Sequence, residues 1–192
     1  MNSLGVGDGA GINIDLSVEF FSKLINIELS KGNFGIGNFF MPADTKSINK
    51  CKDLIFSKLR ANGLEIELWR KIPTDAEAVN KSSLAEQQQI YQIIILKPTD
   101  ISCAKFESKI NAALLSINKT IYYEKVYSGL FPLSLSSKVQ VLKGRLNSGE
   151  VIRYFKDLSN TDMKISMLFF HTRFSTNTAP ATSMAQPFQF IA

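Results

Sequence analysis

Gln92-Ile93-Ile94-Ile95-Leu96 sets four consecutive aliphatic residues behind a single amide, and its reading decides the class of fold. The run is too short for a membrane helix and lacks the three- and four-residue steps of an amphipathic one. It suits a β-strand buried on both faces, as in a layered domain. Upstream, Leu64, Ile66 and Leu68 alternate before Trp69, so that one face of a strand is apolar. Phe34, Ile36 and Phe40 alternate in another strand, with Gly35 and Gly37 between them. Ile12, Ile14 and Leu16 share a face behind a glycine cluster, and Val139–Leu142 and Met167–Phe170 read as two more strands, the last one buried.

Helical spacing fills the intervals. From Asp44 to Asn62 the apolar stripe is Ile48, Cys51, Ile55 and Leu59, with Asp44 or Thr45 as the N-cap and Gly63 closing the helix in a left-handed conformation. From Asp100 to Ile121 it is Cys103, Phe106, Ile110, Leu114, Ile117 and Ile121, and a short helix spans Val18–Ile25. The order is strand, helix, strand, helix, strand, strand, helix, then mainly strand. No repeat, low-complexity tract or linker divides it, so residues 1–192 read as one α+β domain.

Composition narrows the partners. The chain is 45% hydrophobic and 20% charged, ordinary values for a globular domain. Its formal charge of +5 is dispersed, with Asp53, Glu65 and Glu67 interleaved among the basic residues of Asp44–Lys71. No basic stripe carries aromatics at regular spacing, so no nucleic-acid partner is expected. Met1–Gly11 lacks the basic and apolar regions of a secretory signal, and no apolar run approaches membrane-span length. A cytoplasmic protein without a membrane partner is expected, in which the sequon Asn118-Lys119-Thr120 carries no meaning.

Three features invite chemistry. Cys51 and Cys103 both fall on apolar helix stripes, which places them in the core as inert thiols. His171 is the only histidine, and no ligand spacing for a metal exists. Gly5-Val6-Gly7-Asp8-Gly9-Ala10-Gly11 satisfies a dinucleotide-binding pattern, but a strand follows it where a helix N-terminus would have to receive the pyrophosphate. A glycine-rich loop entering a strand fits better. His171-Thr172-Arg173-Phe174-Ser175-Thr176-Asn177-Thr178 directly follows a strand. A guanidinium there suits bidentate recognition of a carboxylate, with hydroxyl and amide groups beside it for a small polar ligand. An arginine paired with a structural carboxylate explains the same residues.

The series of motifs resembles the glutamate synthase large subunit. Val6–Ile12 followed by Val18-Glu19-Phe20-Phe21 carries the likeness, as do Phe34–Gly37 with Met41-Pro42 and Gly63-Leu64-Glu65 with Trp69-Arg70 and Pro73. It continues through Ser134–Ser137, Lys143-Gly144, Tyr154-Phe155, Asp157-Leu158, Arg173–Thr178 and Ala185–Phe188, in the same order. The resemblance implies the αββα sandwich of the N-terminal-nucleophile hydrolases, here as a partial, single amidotransferase domain over residues 1–192. It implies glutamine as ligand, with its α-carboxylate held by Arg173 and further contacts from Thr176 and Asn177. In the family an N-terminal cysteine attacks the glutamine amide, and a His-Asn-Gly-Glu stretch forms the oxyanion hole. FMN and an iron–sulfur cluster serve other regions, so no cofactor and no catalytic residue is expected within this chain.

Three departures set further expectations. No cysteine lies near Met1-Asn2, no His-Asn-Gly-Glu follows Ile191-Ala192, and Ala179-Pro180-Ala181-Thr182 replaces a segment that usually carries Phe-Pro and a tryptophan. The resemblance thus implies an internal fragment, inactive alone and prone to aggregate through open strand edges, or completed by other glutamate synthase fragments or subunits.

Overall fold

Both faces of the run at Gln92–Leu96 are covered, because it lies in an interior strand between a helical layer and a second sheet. The structure is a computed structural model that describes residues 9–79, 84–85 and 87–172. Its elements are β1 (Ala10–Asp15), α1 (Val18–Ile25), β2 (Phe34–Met41), α2 (Thr45–Ala61), β3 (Ile66–Lys71) and β4 (Gln89–Leu96). They continue with α3 (Cys103–Tyr123), β5 (Phe131–Ser136), β6 (Val139–Gly144), the single turn α4 (Val151–Tyr154) and β7 (Leu168–His171). Four strands form one sheet in the order β3-β4-β2-β5, and three form another in the order β6-β1-β7. Every pairing is antiparallel.

The two-residue period of β2 and β4 sorts their side chains between layers. Ile93, Ile95, Phe39 and Met41 pack with Cys51, Ile55 and Leu59 of α2 and with Phe106, Ile110 and Leu114 of α3. On the opposite face, Phe40 and Ile90 meet Ile12 and Ile14 of β1 and Leu142 of β6. Further along that face, Phe34, Ile36 and Ile94 receive Phe20 and Phe21 of α1. The layers therefore run helix, sheet, sheet, an α+β fold of the N-terminal-nucleophile hydrolase type. No helix among the described residues is long and apolar enough to cross a membrane.

Local chemistry fixes the helix ends. Asp44 accepts from Ser47 N at 2.8 Å to cap α2, and Gly63 follows that helix at φ +67°. Ser17 and Ser102 cap α1 and α3 in the same manner. Gly35 and Gly37 allow a close approach. A Cβ on Gly35 would lie 2.8 Å from Ile110 Cδ1, and one on Gly37 2.8 Å from Ile93, Leu135 and Phe39.

The chain changes sheets between β5 and β6. Only Ser137 and Lys138 separate them, yet β5 belongs to the four-stranded sheet and β6 to the three-stranded one. The buried Glu107 of α3 fixes this corner, its carboxylate accepting from Ser136 Oγ at 2.8 Å and Ser137 N at 2.7 Å. The sequence pattern did not mark β5, whose Pro132, Ser134 and Ser136 break the apolar signal.

Three expectations are corrected. Cys103 is exposed, because it is the first residue of α3 and the stripe reaches the core only from Phe106. Leu68 does not share a face with Leu64 and Ile66: the β3–β4 register shifts between Ile66 and Leu68, so Ile66 packs with the α2–α3 cluster and Leu68 with the α1 cluster. The strand at Met167–Phe170 is not buried, with Leu168, Phe169 and Phe170 between 45% and 61% exposed. Among the described residues β7 pairs only with β1, and its apolar composition reports a strand without reporting a covering layer.

Candidate functional site

The motif from His171 to Thr178 departs from the end of β7, and strand register shows what stands beside its root. Gly11 of β1 pairs with His171 on one side and with Lys143 of β6 on the other. Directly paired residues project to the same face of a sheet, so Lys143 and His171 flank a position that carries no side chain. Gly9, at φ +130°, turns the chain into β1 next to this row. His171 is half-buried and Thr172 exposed. Arg173, Thr176 and Asn177, the expected glutamine contacts, lie outside the described residues, as do Gly5 and Gly7 of the glycine cluster.

Lys143 is only 2% exposed, with its Nζ 5.3 Å from the centre of the Phe131 ring. Burial pushes its ammonium down to about 8. Sequence reasoning noted Lys143 only as part of a matching motif. A lysine directly after the apolar pair Val141-Leu142 of a strand was the available signal.

A second polar group, of which sequence reasoning noted only Arg70 and Asp157 and only as parts of matching motifs, crosses between the sheets. Asn38 Nδ2 donates to Val141 O at 3.0 Å and to Gln140 Oε1 at 3.4 Å, and Gln92 Nε2 donates to Asn38 Oδ1 at 2.9 Å. Arg70 donates to Gln92 Oε1 through Nε at 2.9 Å and Nη2 at 2.6 Å, and forms an ion pair with Asp157. Its guanidinium also lies 5.8 Å from the Phe20 ring. The chain Asp157–Arg70–Gln92–Asn38–Gln140 joins the two sheets through groups that are almost all satisfied. It is built for positioning, with no free nucleophile or base in it.

A cavity of about 900 Å³ lies at the other end of β1, where Asp15, Lys31, Cys103, Glu107, Asn111 and Lys138 line it. Asp15 is at the C-terminal end of β1, whereas Gly11, near its start, pairs with His171, so this groove lies at the opposite end of the strand from His171. The thiol of Cys51 is fully buried and pushed up to about 11 by burial first and by the charge of Asp44 second, which keeps it protonated and inert. Among the described residues no group of three or more His, Cys, Asp and Glu side chains is arranged to hold a metal.

Comparison with known proteins places this arrangement. Residues 3–192 match the family described as glutamine amidotransferases class-II. The chain is 30% identical over 204 residues to the NADH glutamate synthase of Saccharomyces cerevisiae, covering 100% of this chain and 10% of that protein. It is 26% identical over 190 residues to the large chain of the NADPH glutamate synthase of Azospirillum brasilense, and 32% identical over 201 residues to the ferredoxin-dependent glutamate synthase of Antithamnion sp.. Each of these two alignments covers 97% of this chain and 12% of the relative, so the chain spans about a tenth of the length of the proteins it matches.

Proposed function

The chain belongs to the class-II glutamine amidotransferases, and from that premise we propose that it is the glutamine-handling part of a glutamate synthase. The observation that carries the proposal is the match along the whole chain, joined to a sheet end where Gly11, Lys143 and His171 stand in one row at the root of the motif. Arg173 holds the α-carboxylate of glutamine in a bidentate pair, and Thr176 and Asn177 supply neighbouring hydrogen bonds. In the complete synthase the amide nitrogen leaves as ammonia and is delivered to 2-oxoglutarate.

The nucleophile for amide cleavage is neither of the two cysteines within residues 1–192. Cys51 is sealed between α2 and the sheet, and Cys103 lines the groove at the far end of β1. We assign no catalytic residue here and expect no hydrolysis by these residues alone. Two cysteines also cannot supply the four thiolates an iron–sulfur cluster usually takes. That cluster and the flavin are assigned to polypeptide outside this region.

Calorimetric titration with glutamine tests the reading. Binding is expected for the unmodified chain, with a loss of at least about tenfold in Arg173→Ala, the scale of one charge-assisted hydrogen bond. No heat from the unmodified chain, or equal affinity in both, removes the proposal. Ammonia release by the isolated chain in a glutaminase assay removes the assignment of the nucleophile.

The exposed β7 favours one further reading, that companion glutamate synthase polypeptides complete the domain. An apolar strand edge of this kind takes up a neighbouring segment readily. Co-expression with polypeptides carrying the N-terminal cysteine and the His-Asn-Gly-Glu stretch is then expected to yield a co-purifying, glutamine-hydrolysing complex. Separate elution of the chains ends that reading.

A further inference from the structure

The cavity beside Asp15 takes no part in the proposed glutamine contacts. Its volume of about 900 Å³ lies within the range of small-molecule pockets. The loop before β2, the first turns of α3 and the corner at Ser137 and Lys138 together form its lining. Gly32 sits at φ +82°, and a Cβ there would lie 3.1 Å from Cys103 Sγ, so the loop approaches the start of α3 closely.

The hydrogen-bonding capacity left over in this lining is mainly that of donors. Both acids are engaged already. Asp15 Oδ1 accepts from Ser166 N at 2.8 Å and Met167 N at 2.9 Å, while Glu107 holds the corner through Ser136 Oγ and Ser137 N. The ammonium groups of Lys31 and Lys138, by contrast, make no hydrogen bond or ion pair among the described residues. Ser137 is only 7% exposed, and its hydroxyl also meets no hydrogen-bond partner among the described residues. A hydroxyl so sheltered is costly until something bonds to it. The first turn of α3, a helix of 21 residues, adds the positive end of its dipole at Cys103 and Ala104.

These groups select an anion, and the two nearby carboxylates restrict its charge. A singly charged head is accommodated where a doubly charged phosphate would be repelled by Asp15 and Glu107. Leu16, Phe34, Ala112 and Leu115 supply apolar surface to the same lining, which suits a hydrocarbon body.

We infer that this cavity is a binding site for a small carboxylate with an apolar body. Lys31, Lys138 and Ser137 hold its charge, and Leu16, Phe34 and Leu115 receive its hydrocarbon part. The inference goes beyond the glutamine reading and uses none of its residues.

Cys103 provides the test, because it lines the cavity and is exposed while Cys51 is fully buried. Alkylation of Cys103 by iodoacetamide is followed by mass spectrometry at rising concentrations of hexanoate, or of the neutral hexanamide. The unmodified chain is compared with the double variant Lys31→Gln with Lys138→Gln, in which both replaced residues are exposed. Hexanoate at millimolar concentration is expected to slow alkylation to a plateau in the unmodified chain. Hexanamide is expected to be at least about fivefold less effective, and the double variant to need at least about fivefold more hexanoate for half protection, the scale of two exposed charge contacts. Should circular dichroism show that the double variant is unfolded, Lys138→Gln alone carries the comparison. Absence of protection by hexanoate overturns the inference. Equal protection by the two probes shows an apolar cleft that does not select an anion, and overturns it as well. Half protection at the same hexanoate concentration with and without the lysines does the same. No arm of the experiment reads glutamine binding, so its failure and that of the glutamine reading are told apart.

Discussion

Gln92 and Asn38 face each other on paired strands, and Gln92 Nε2 donates to Asn38 Oδ1 at 2.9 Å with both residues at most 1% exposed. This contact lies within the four-stranded sheet, midway along the polar chain from Asp157 to Gln140, and Asn38 carries that chain across to Gln140 and Val141 of the three-stranded sheet.

Removing an end of that chain strands a charge. In Asp157→Ala the guanidinium of Arg70 keeps only Gln92 as a hydrogen-bonding carbonyl partner, with both ion-pair side chains 15% exposed or less. A loss of about 3 kcal/mol is expected on breaking a buried pair this way, read from urea unfolding at constant m-value. The double variant Arg70→Met with Asp157→Ala is expected to recover part of it. A loss below about 0.5 kcal/mol for Asp157→Ala would show that the pair contributes no more than an exposed one.

Gly37→Ala tests how tightly the middle layer is packed. The added carbon would lie 2.8 Å from Ile93, Leu135 and Phe39 at once, and all three are buried. Overpacking of this kind costs about 1–3 kcal/mol. Gly149→Ala, where nothing lies within 4 Å, serves as the control and is expected to change stability little. Equal melting temperatures for the two variants contradict the packing described.

Stability is expected to rise between pH 8 and pH 9. Lys143 titrates at about 8 in the folded chain against an ordinary 10.5, so across that interval the unfolded chain binds more protons and folding gains as pH rises. The gain is about 1 kcal/mol, or roughly 2–4 °C in Tm. Above pH 9 the effect levels off. Cys51 is raised from 9.0 to about 11, so the unfolded thiol loses its proton first and folding weakens over the same range. Melting curves of Lys143→Met are expected to be flat from pH 8 to 9, and a slope that survives the substitution refutes the assignment.

Strand β7 is expected to drive self-association. Phe169 is 61% exposed on β7, which is an edge strand among the described residues. Phe169→Lys places a charge there, which opposes edge-to-edge pairing. Light scattering at rising concentration is expected to show less aggregation for this variant than for the unmodified chain. Equal aggregation would locate the adhesive surface elsewhere.

Elements with a regular period were legible in the sequence. The stripe of Ile48, Cys51, Ile55 and Leu59 with Asp44 before it and Gly63 after it placed α2 within a residue at each end, because capping and periodicity are local. The run at Gln92–Leu96 marked an interior strand for the same reason. Leu68 was misplaced because a bulge in pairing is a relation between two strands, which the alternation of one strand cannot show. Cys103 was misplaced because a helical stripe does not say at which turn the helix meets the core.

The sequence by itself determined the α+β class, the order of the elements from β1 to α3 and the family, since these follow from local periodicity and from motifs read in order. Only the tertiary structure decided that Gly11, Lys143 and His171 share one row, and that Asp157, Arg70, Gln92, Asn38 and Gln140 form one chain between the sheets. Those residues are separated by up to about 160 positions, and strand register together with the packing of the two sheets brings them together. A lysine at position 143 is simply a charge in a strand until β6 is laid against β1; after that it is a sheltered cation in one row with Gly11 and His171.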